Sequence, residues 1–193
     1  GANLFRKKYD KMKWEDRYGS IENAYVENAG IISAYGRICC ISFGAITDNG
    51  TEKVSSYYGE NEKEIVEKFN NLLNEMDQKG FHLCGYRVKY FDVPWLLHKL
   101  HKYKIKPSNI LNPYGKKPWE MKIVDLADDW KQGFAWTSSF DEVCYELGLD
   151  SPKDKMDGSD VHKNYWLQKY ESIKDYCEKD VKSNMQVSIK IYK

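Results

Sequence analysis

The sequence predicts an α/β domain in which helices flank a mixed β-sheet. Three observations predict it: a hairpin pattern in the first third of the chain, alternating strand-type and helix-type segments after it, and a long amphipathic helix at the end. Hairpins join antiparallel strands, whereas strands separated by helices usually pair in parallel. The combination therefore predicts both kinds of pairing.

The hairpin follows a polar N-terminal region. Residues 2–36 carry aromatic side chains at spacings that indicate one or two helices. The run GRICCISFGAI, 36–46, is almost continuously apolar and of strand length, and EKVSSYYG, 52–59, follows it across the turn TDNGT. The pair Asn49-Gly50 favours the positive φ angles of tight turns. These two segments therefore predict an antiparallel hairpin.

The segment 61–80 has the clearest helix pattern. Asn61 and Glu64 form a possible cap pair at its start, and Gly80 marks its end. Its apolar residues share one helical face. They are Ile65, Val66, Phe69, Leu72, Leu73 and Met76.

Shorter strands and helices alternate in the rest of the chain. The predicted order is strand 81–85, helix 92–103, strand 121–125, helix 138–148, and helices near 161–169 and 171–191. Pro94 stands in the first turn of its helix. Backbone N–H groups there have no acceptor within the helix, so proline costs no hydrogen bond. No internal repeat is present. This alternation is typical of a partly parallel sheet.

Composition favours one cytoplasmic domain without a membrane segment. A chain of 193 residues suits a single domain. Its net charge of +1 gives no overall attraction to nucleic acid or membranes, so binding to a polyanion requires a local basic surface. No apolar run approaches the roughly 20 residues of a membrane-spanning helix. The five cysteines include no CxxC pair, which suits reduced thiols in a cytosol.

The last helix contains the first candidate site residues, Tyr176 and Asp180. They lie four positions apart at the edge of its apolar side, where a carboxylate can reach a cleft while its helix is held by packing. That side consists of Tyr170, Ile173, Cys177, Val181, Met185 and Tyr192. Alternatively, Asp180 pairs with Lys179, Lys182 or solvent, and Tyr176 is an ordinary residue at an amphipathic edge.

Asp92 is the second candidate, because it stands where a buried strand is followed by a helix. Side chains at such positions project toward the crevice at the carboxyl end of the strand. An aspartate before Val93-Pro94 is also a good helix N-cap, which would explain the residue without any ligand. Both interpretations remain open at this point.

Together these segments resemble a known enzyme family. GYRVKYFDVPWLLHKL, with its Phe91-Asp92 step, and YCEKDV, with Tyr176 and Asp180, resemble the second and third motifs of the polymerase B-type branch of the DEDD 3′–5′ exonucleases. GKKPWEMKIVD and SPKDKMDGSD further resemble a group of predicted bacterial exonucleases related to the polymerase B proofreading domain. The resemblance runs from about residue 20 to the end of the chain.

The resemblance implies a fold, an activity and a metal site. The implied fold is ribonuclease H-like, and the implied reaction is trimming of single-stranded DNA or RNA from its 3′ end, with no membrane or protein partner inferred. The resemblance makes Asp92 and Asp180 ligands of two Mg²⁺ or Mn²⁺ ions, and it makes Tyr176 the group that orients the attacking water. Oxygen ligands suit these hard cations, whereas zinc prefers histidine or thiolate.

One family motif is missing. The first motif, Asp-x-Glu on an opening central strand, supplies two more acidic ligands, but the strand 37–46 contains no acidic residue. Asp10, Glu15 and Asp16 lie in a polar, helix-like stretch. We therefore expect residues 1–193 to form a single exonuclease-like domain that is truncated at its N-terminus, lacks the central strand, and is weak or inactive as it stands.

Substrate contacts are less specific in the sequence. Arg87 stands where the family commonly has asparagine, and it is either a phosphate ligand or a surface arginine. Phe91 is a candidate to stack on a base and Lys155 to contact a phosphate, against the alternatives of a core aromatic and a solvated lysine. Asp125 ends a strand and either supports the site or caps a helix. The alternative function is a catalytically silent nucleic-acid-binding module that retains the exonuclease fold.

Overall fold

Two pairs of β-strands with helices packed around them organise the chain. The computed structural model describes residues 2–47, 49–117, 120–134, 138–151, 156 and 158–192. In chain order the elements are α1 (Ala2–Lys11), α2 (Glu15–Tyr18), α3 (Ile21–Asn28), the 3-10 turn Ala29–Ile31, β1 (Cys40–Ile46), β2 (Glu52–Tyr58), α4 (Glu62–Gln78), β3 (Leu83–Gly85), α5 (Asp92–Lys102), β4 (Ile123–Asp125), α6 (Leu126–Lys131), α7 (Phe140–Glu146), α8 (Asp160–Trp166) and α9 (Tyr170–Tyr192). The predicted α/β class is confirmed.

The strands pair in the two ways that the sequence predicts. β1 and β2 form the antiparallel hairpin, in register from Cys40 with Tyr58 to Ile46 with Glu52. β3 and β4 pair in parallel. Among the described residues the two pairs are separate two-stranded sheets, whereas the sequence predicts one mixed sheet. The difference arises because no described strand hydrogen-bonds to both β1 and β3.

The hairpin lies between α4 and α9. Phe43 of β1 faces α4, with its ring centroid 5.7 Å from that of Phe69. Gly44, the next residue, points to the opposite side of the pleat. A Cβ at Gly44 would lie 2.8 Å from the Met185 sulfur and 3.0 Å from Val181 Cγ1, so glycine lets α9 approach β1 closely.

The apolar core consists of two clusters. One lies between α4, α5 and the strands, and its fully or nearly fully buried members include Val66, Phe69, Leu73, Leu96, Leu100, Ile110, Leu111 and Ile123. The other lies beside the C-terminal half of α9 and contains Leu126, Val143, Cys144 and Val187. Among the described helices, none is both long enough and apolar enough to cross a bilayer.

Residues 2–35, which we name the N-terminal helical segment, enclose a small aromatic core of their own. The Phe5 side chain is buried, and its ring centroid lies 6.0 Å from that of Trp14, 5.0 Å from Tyr25 and 5.1 Å from Tyr35. The sequence predicts one or two helices here, and the structure forms α1, α2 and α3. Aromatic packing therefore holds these short helices together.

The N-terminal helical segment is attached to α5. The Ser33 hydroxyl lies 2.7 Å from Nδ1 of His98. The buried ammonium group of Lys99 donates hydrogen bonds to the carbonyl oxygens of Ser33, at 2.7 Å, and Gly36, at 2.6 Å. A Cβ on Gly36 would lie only 2.5 Å from the Trp95 ring, so the chain passes close to α5 here. These contacts fix the segment against the helix that begins at Asp92.

Glu62, the first residue of α4, is the acceptor at the centre of a buried polar network. Its carboxylate accepts hydrogen bonds from the Ile38 N–H and from the side chains of Lys102 and Tyr103, and it pairs with Lys99 at 3.2 Å. Burial alone would raise the pKa of Glu62, but these donors and the Lys99 charge more than offset it and lower the pKa to about 2. The ionised carboxylate is therefore the stable form in the folded protein.

This network predicts an acid-labile contribution to stability. Because folding depresses the Glu62 pKa from 4.5 to about 2, its contribution is complete above pH 4.5 and is lost as the pH falls through about 2. We expect this group to account for roughly 3 kcal/mol of the loss in unfolding free energy across that interval. Urea unfolding at a series of pH values measures it. The Glu62→Gln variant should be less stable at neutral pH, and its free energy of unfolding should change less with pH in this interval. A pH dependence as steep as that of the wild type would contradict the assignment.

Candidate functional site

The loop from β3 to α5 places Asp92 at the start of a helix. Pro94 lies in the first turn of α5, and the Val93 N–H donates to the Val88 carbonyl at 2.9 Å. Asp92 is the first helical residue, while the N-cap position is occupied by Phe91, which makes no side-chain capping bond. The N-cap interpretation of Asp92 is therefore wrong, and its carboxylate is not used as the cap of α5.

Asp125 fixes the loop that leads to Asp92. It ends β4, is only 1% exposed, and accepts hydrogen bonds from the backbone N–H groups of Arg87 at 2.8 Å, Lys89 at 2.9 Å and Ala127 at 3.0 Å. The last of these caps α6. Arg87 has a φ of 55°, which a non-glycine residue adopts only when its surroundings hold it there. Asp125 therefore caps α6, as one of its two alternatives predicted, and it also holds the loop that leads to Asp92.

Asp128 adds a second connection between α6 and the same loop. Its carboxylate accepts from the Lys89 ammonium group at 3.2 Å and from the Tyr90 hydroxyl at 2.9 Å. Lys89 is therefore committed to a contact within the protein. The loop is held by backbone and side-chain contacts together, which keeps Asp92 in a defined place.

Tyr176 and Asp180 lie one turn apart on α9, and both are half-buried. Asn184, one turn further along, accepts a hydrogen bond from the Tyr86 N–H at 2.9 Å and donates to the Asp180 carbonyl at 2.9 Å. Tyr86 begins the loop that leads to Asp92. Asn184 therefore joins the helix that carries Asp180 to the loop that positions Asp92. Sequence reasoning missed this residue, although Tyr176, Asp180 and Asn184 share a four-residue spacing.

The Asn184 bridge has a measurable energy. In Asn184→Ala the Tyr86 N–H loses its acceptor, and we expect the free energy of unfolding to fall by about 1–2 kcal/mol. Gln186→Ala, at an exposed position of the same helix, is the matched control and should change stability by less than about 0.5 kcal/mol. Urea unfolding of both variants checks this. Equal stability of the two variants would show that the bridge contributes nothing.

The negative charge of Asp180 acts on the carboxyl group of Asp92. Protein packed around the carboxyl group of Asp92 raises its pKa to about 6, and the negative charges of Asp125 and Asp180 act in the same direction. A hydrogen bond to its own backbone N–H partly opposes this change. Asp92 is nevertheless an exposed residue, and among the described residues no cation pairs with it. The site thus combines an exposed carboxylate of raised pKa with two neighbouring negative charges.

The structure places the other candidate residues as follows. Arg87 is exposed and is the second residue after β3. Phe91 is 44% exposed, and its ring centroid lies 5.8 Å from that of Trp95. Lys155 lies outside the described residues.

Among the described residues, no group of three or more histidine, cysteine, aspartate or glutamate side chains is arranged to hold a metal ion. Asp125 cannot readily complete such a group because both of its oxygens already accept N–H bonds.

Comparison with known proteins identifies one family. Residues 31–192 match the family described as predicted 3′–5′ exonucleases related to the exonuclease domain of PolB. The match includes the hairpin, Asp92, Tyr176 and Asp180, and it begins after α1, α2 and α3. No curated protein and no solved structure matches the chain.

Proposed function

Because the chain belongs to the family of predicted 3′–5′ exonucleases related to the exonuclease domain of PolB, we propose that it is a metal-dependent 3′–5′ exonuclease. Asp92 and Asp180 bind divalent metal ions, and Tyr176 orients the attacking water. The observation that carries this proposal is the surroundings of the Asp92 carboxylate: it lies near the negative charges of Asp125 and Asp180 and has no cationic partner among the described residues. Carboxylates that lie near one another are stabilised when a cation binds to them.

The ligand chemistry suits Mg²⁺ or Mn²⁺. Asp92 and Asp180 offer carboxylate oxygens, which these hard cations prefer. Two divalent ions, when bound, would activate a water molecule and neutralise charge on the scissile phosphate. Protein packed around the carboxyl group is the main cause of the raised Asp92 pKa, and the charge of Asp180 adds a smaller contribution in the same direction. The described residues fit the metal in kind but supply only part of a two-metal ligand set.

We propose that a strand bearing Asp-x-Glu completes the site in the full-length protein. β1 and β3 each pair with a single strand among the described residues. A further strand between them would join the two pairs into the mixed, ribonuclease H-like sheet and bring two more carboxylates to the site. The 193-residue chain alone would then bind metal weakly and cleave poorly.

The place of Tyr176 on α9 supports the proposed orienting role. Its phenol, a hydrogen-bond donor at neutral pH, lies one turn before Asp180 on a helix that is held against the hairpin. The Ser56 hydroxyl of β2 donates to Glu178 of that helix at 2.8 Å. A donor fixed in this way can hold a water molecule in line with the scissile bond.

Two exposed residues near Asp92 would contact the substrate. The Arg87 guanidinium offers a planar set of donors for a phosphate, and Asp125 fixes the Arg87 backbone. Phe91, adjacent to Asp92, is exposed enough to stack on the terminal base. Lys155 is a further candidate to contact a phosphate.

A catalytically silent nucleic-acid-binding module is the second candidate function. The observation that favours it is the incomplete ligand set of the described residues. Such a module would keep the substrate contacts at Arg87 and Phe91 while lacking turnover. Unlike the exonuclease, it would bind a nucleic-acid strand without hydrolysing it.

Nuclease assays on the full-length protein distinguish these functions. With 5′-labelled single-stranded DNA and RNA and added Mn²⁺ or Mg²⁺, the exonuclease should give products shortened stepwise from the 3′ end, and a chelator should stop the reaction. Tyr176→Phe should slow turnover by about 10- to 100-fold with unchanged metal affinity. Binding without cleavage would support the silent module. Neither binding nor cleavage would overturn both proposals.

A further inference from the structure

Positive charge is concentrated in α1 and the turn that follows it. Between Ala2 and Lys13 the sequence has five basic residues and one acidic residue, for a net charge of +4, whereas the whole chain has a net charge of +1. The other residues therefore carry a net charge of −3. A neutral chain that binds a polyanion needs a local basic surface, and α1 is such a surface.

The outward side of α1 gathers three of these cations. At about 100° per residue, Lys7, Lys8 and Lys11 fall within an arc of about 100°, while Phe5 lies outside it and points into the aromatic core. We name Lys7, Lys8 and Lys11 the basic face. Lys7 and Lys11 are exposed, and the Lys8 ammonium group lies 5.7 Å from the Trp14 ring centroid.

The basic face forms no ion pair within the described part of the chain. The ion pairs there involve lysines of other elements, such as Lys68 with Glu64 and Lys122 with Asp77. None of the described ion pairs includes a lysine of the basic face. Its charge is therefore available to an external anion.

The basic face is also fixed relative to the candidate active site. The buried Phe5 of α1 packs on Tyr35, and the same segment is attached to α5 by the Lys99 hydrogen bonds. The first residue of α5 is Asp92. A strand whose 3′ end reaches Asp92 would therefore meet a surface of constant position.

We propose that the basic face of α1 binds the phosphate backbone of single-stranded nucleic acid, at nucleotides preceding the 3′ end held at Asp92. The placement of that end rests on the proposed function, whereas the binding itself requires no catalysis. An anionic membrane is the weaker fit, because α1 turns Phe5 inward, and the exposed large apolar residues of α1 and the turn after it are Leu4 and Met12. α1 lies outside the residues that match the family.

The test is binding measured by fluorescence anisotropy in the presence of a chelator. The variant is Lys7→Gln/Lys8→Gln/Lys11→Gln, and the probes are single strands of about 20 and about four nucleotides. Because each phosphate contact to a single strand contributes about 0.7 to the slope of log K against log salt, this variant should lose about 2 from that slope on the long strand. Its dissociation constant should rise by about tenfold or more, with little change on the short strand.

The matched control is Lys63→Gln/Lys79→Gln/Lys104→Gln, which removes the same charge from exposed positions elsewhere. It should bind the long strand much as the wild type does, and circular dichroism should show both variants folded. Failure of the wild type to bind, an unchanged slope in the α1 variant, or an equal loss in the control would overturn the proposal. The proposal would also be overturned if Lys7, Lys8 and Lys11 were needed for binding to phosphatidylserine vesicles but not for binding to the single strands. Absence of cleavage by the full-length protein would overturn the exonuclease and leave this result intact.

Discussion

Replacing Asp92 with asparagine in the full-length protein is expected to reduce nuclease turnover by more than about 100-fold. Asparagine keeps the shape of the side chain but removes the charge that binds a cation. Asp180→Asn should have a similar effect, since both carboxylates belong to one site. Asp150→Asn, at an exposed position, is the control and should keep wild-type turnover. Kinetics on a labelled single strand measure all three.

The same Asp92→Asn substitution should stabilise the metal-free protein. Packing around the carboxyl group and the charges of Asp125 and Asp180 raise the Asp92 pKa to about 6, so the ionised group is unfavourable at neutral pH. Because Asp92 keeps solvent contact, which screens this repulsion, we expect a gain of only about 1 kcal/mol. Loss of activity with unchanged or higher stability indicates a functional group. Wild-type turnover in Asp92→Asn would show that it is not a ligand.

Removing the Asp125 carboxylate is expected to have the largest effect on stability. Asp125→Ala leaves the N–H groups of Arg87, Lys89 and Ala127 without their acceptor in a buried place. We expect the free energy of unfolding to fall by about 3 kcal/mol or more, because each lost bond to a charged acceptor costs about 1.5–3 kcal/mol. The loop before Asp92 should also lose its fixed conformation.

A helix cap elsewhere provides the comparison for Asp125. Ser139 caps α7 at an exposed position, and Ser139→Ala should cost about 1 kcal/mol. Urea unfolding of the two variants separates the contribution of a simple cap from that of a residue that also supports the loop. A loss in Asp125→Ala no greater than that in Ser139→Ala would contradict the supporting role.

Much of the fold is predictable from local patterns. α4 has a regular apolar stripe, and Asn61 caps it as predicted, with its side chain accepting from the Glu64 N–H at 3.3 Å. The hairpin has two strand-type segments with a turn sequence between them, and its register follows. α6 was not predicted, because six residues are too few to show a helical period. The sequence feature that marks α6 is its capping residue, Asp125, rather than an apolar stripe.

The candidate site is less predictable, because its support depends on contacts between distant residues. Asp125 bonds to backbone groups 36 and 38 residues earlier in the chain, and Asn184 bonds to a group 98 residues away. The joining of the strand pairs into one sheet likewise depends on long-range pairing, which no local pattern specifies. Motif spacing could identify Asp92, Tyr176 and Asp180 as candidates, but not the residues that hold them.

Convergence of Asp92 and Asp180 on one metal site is the central claim, and titration of the 193-residue chain with paramagnetic Mn²⁺, followed by amide NMR signals, tests it most directly. We predict that the signals of residues near Asp92 and those near Asp180 broaden together, at metal concentrations of about 10⁻⁴–10⁻³ M for a weak site. Either Asp92→Asn or Asp180→Asn should reduce the broadening at both. Broadening at only one of the two positions, or at neither, would contradict the claim.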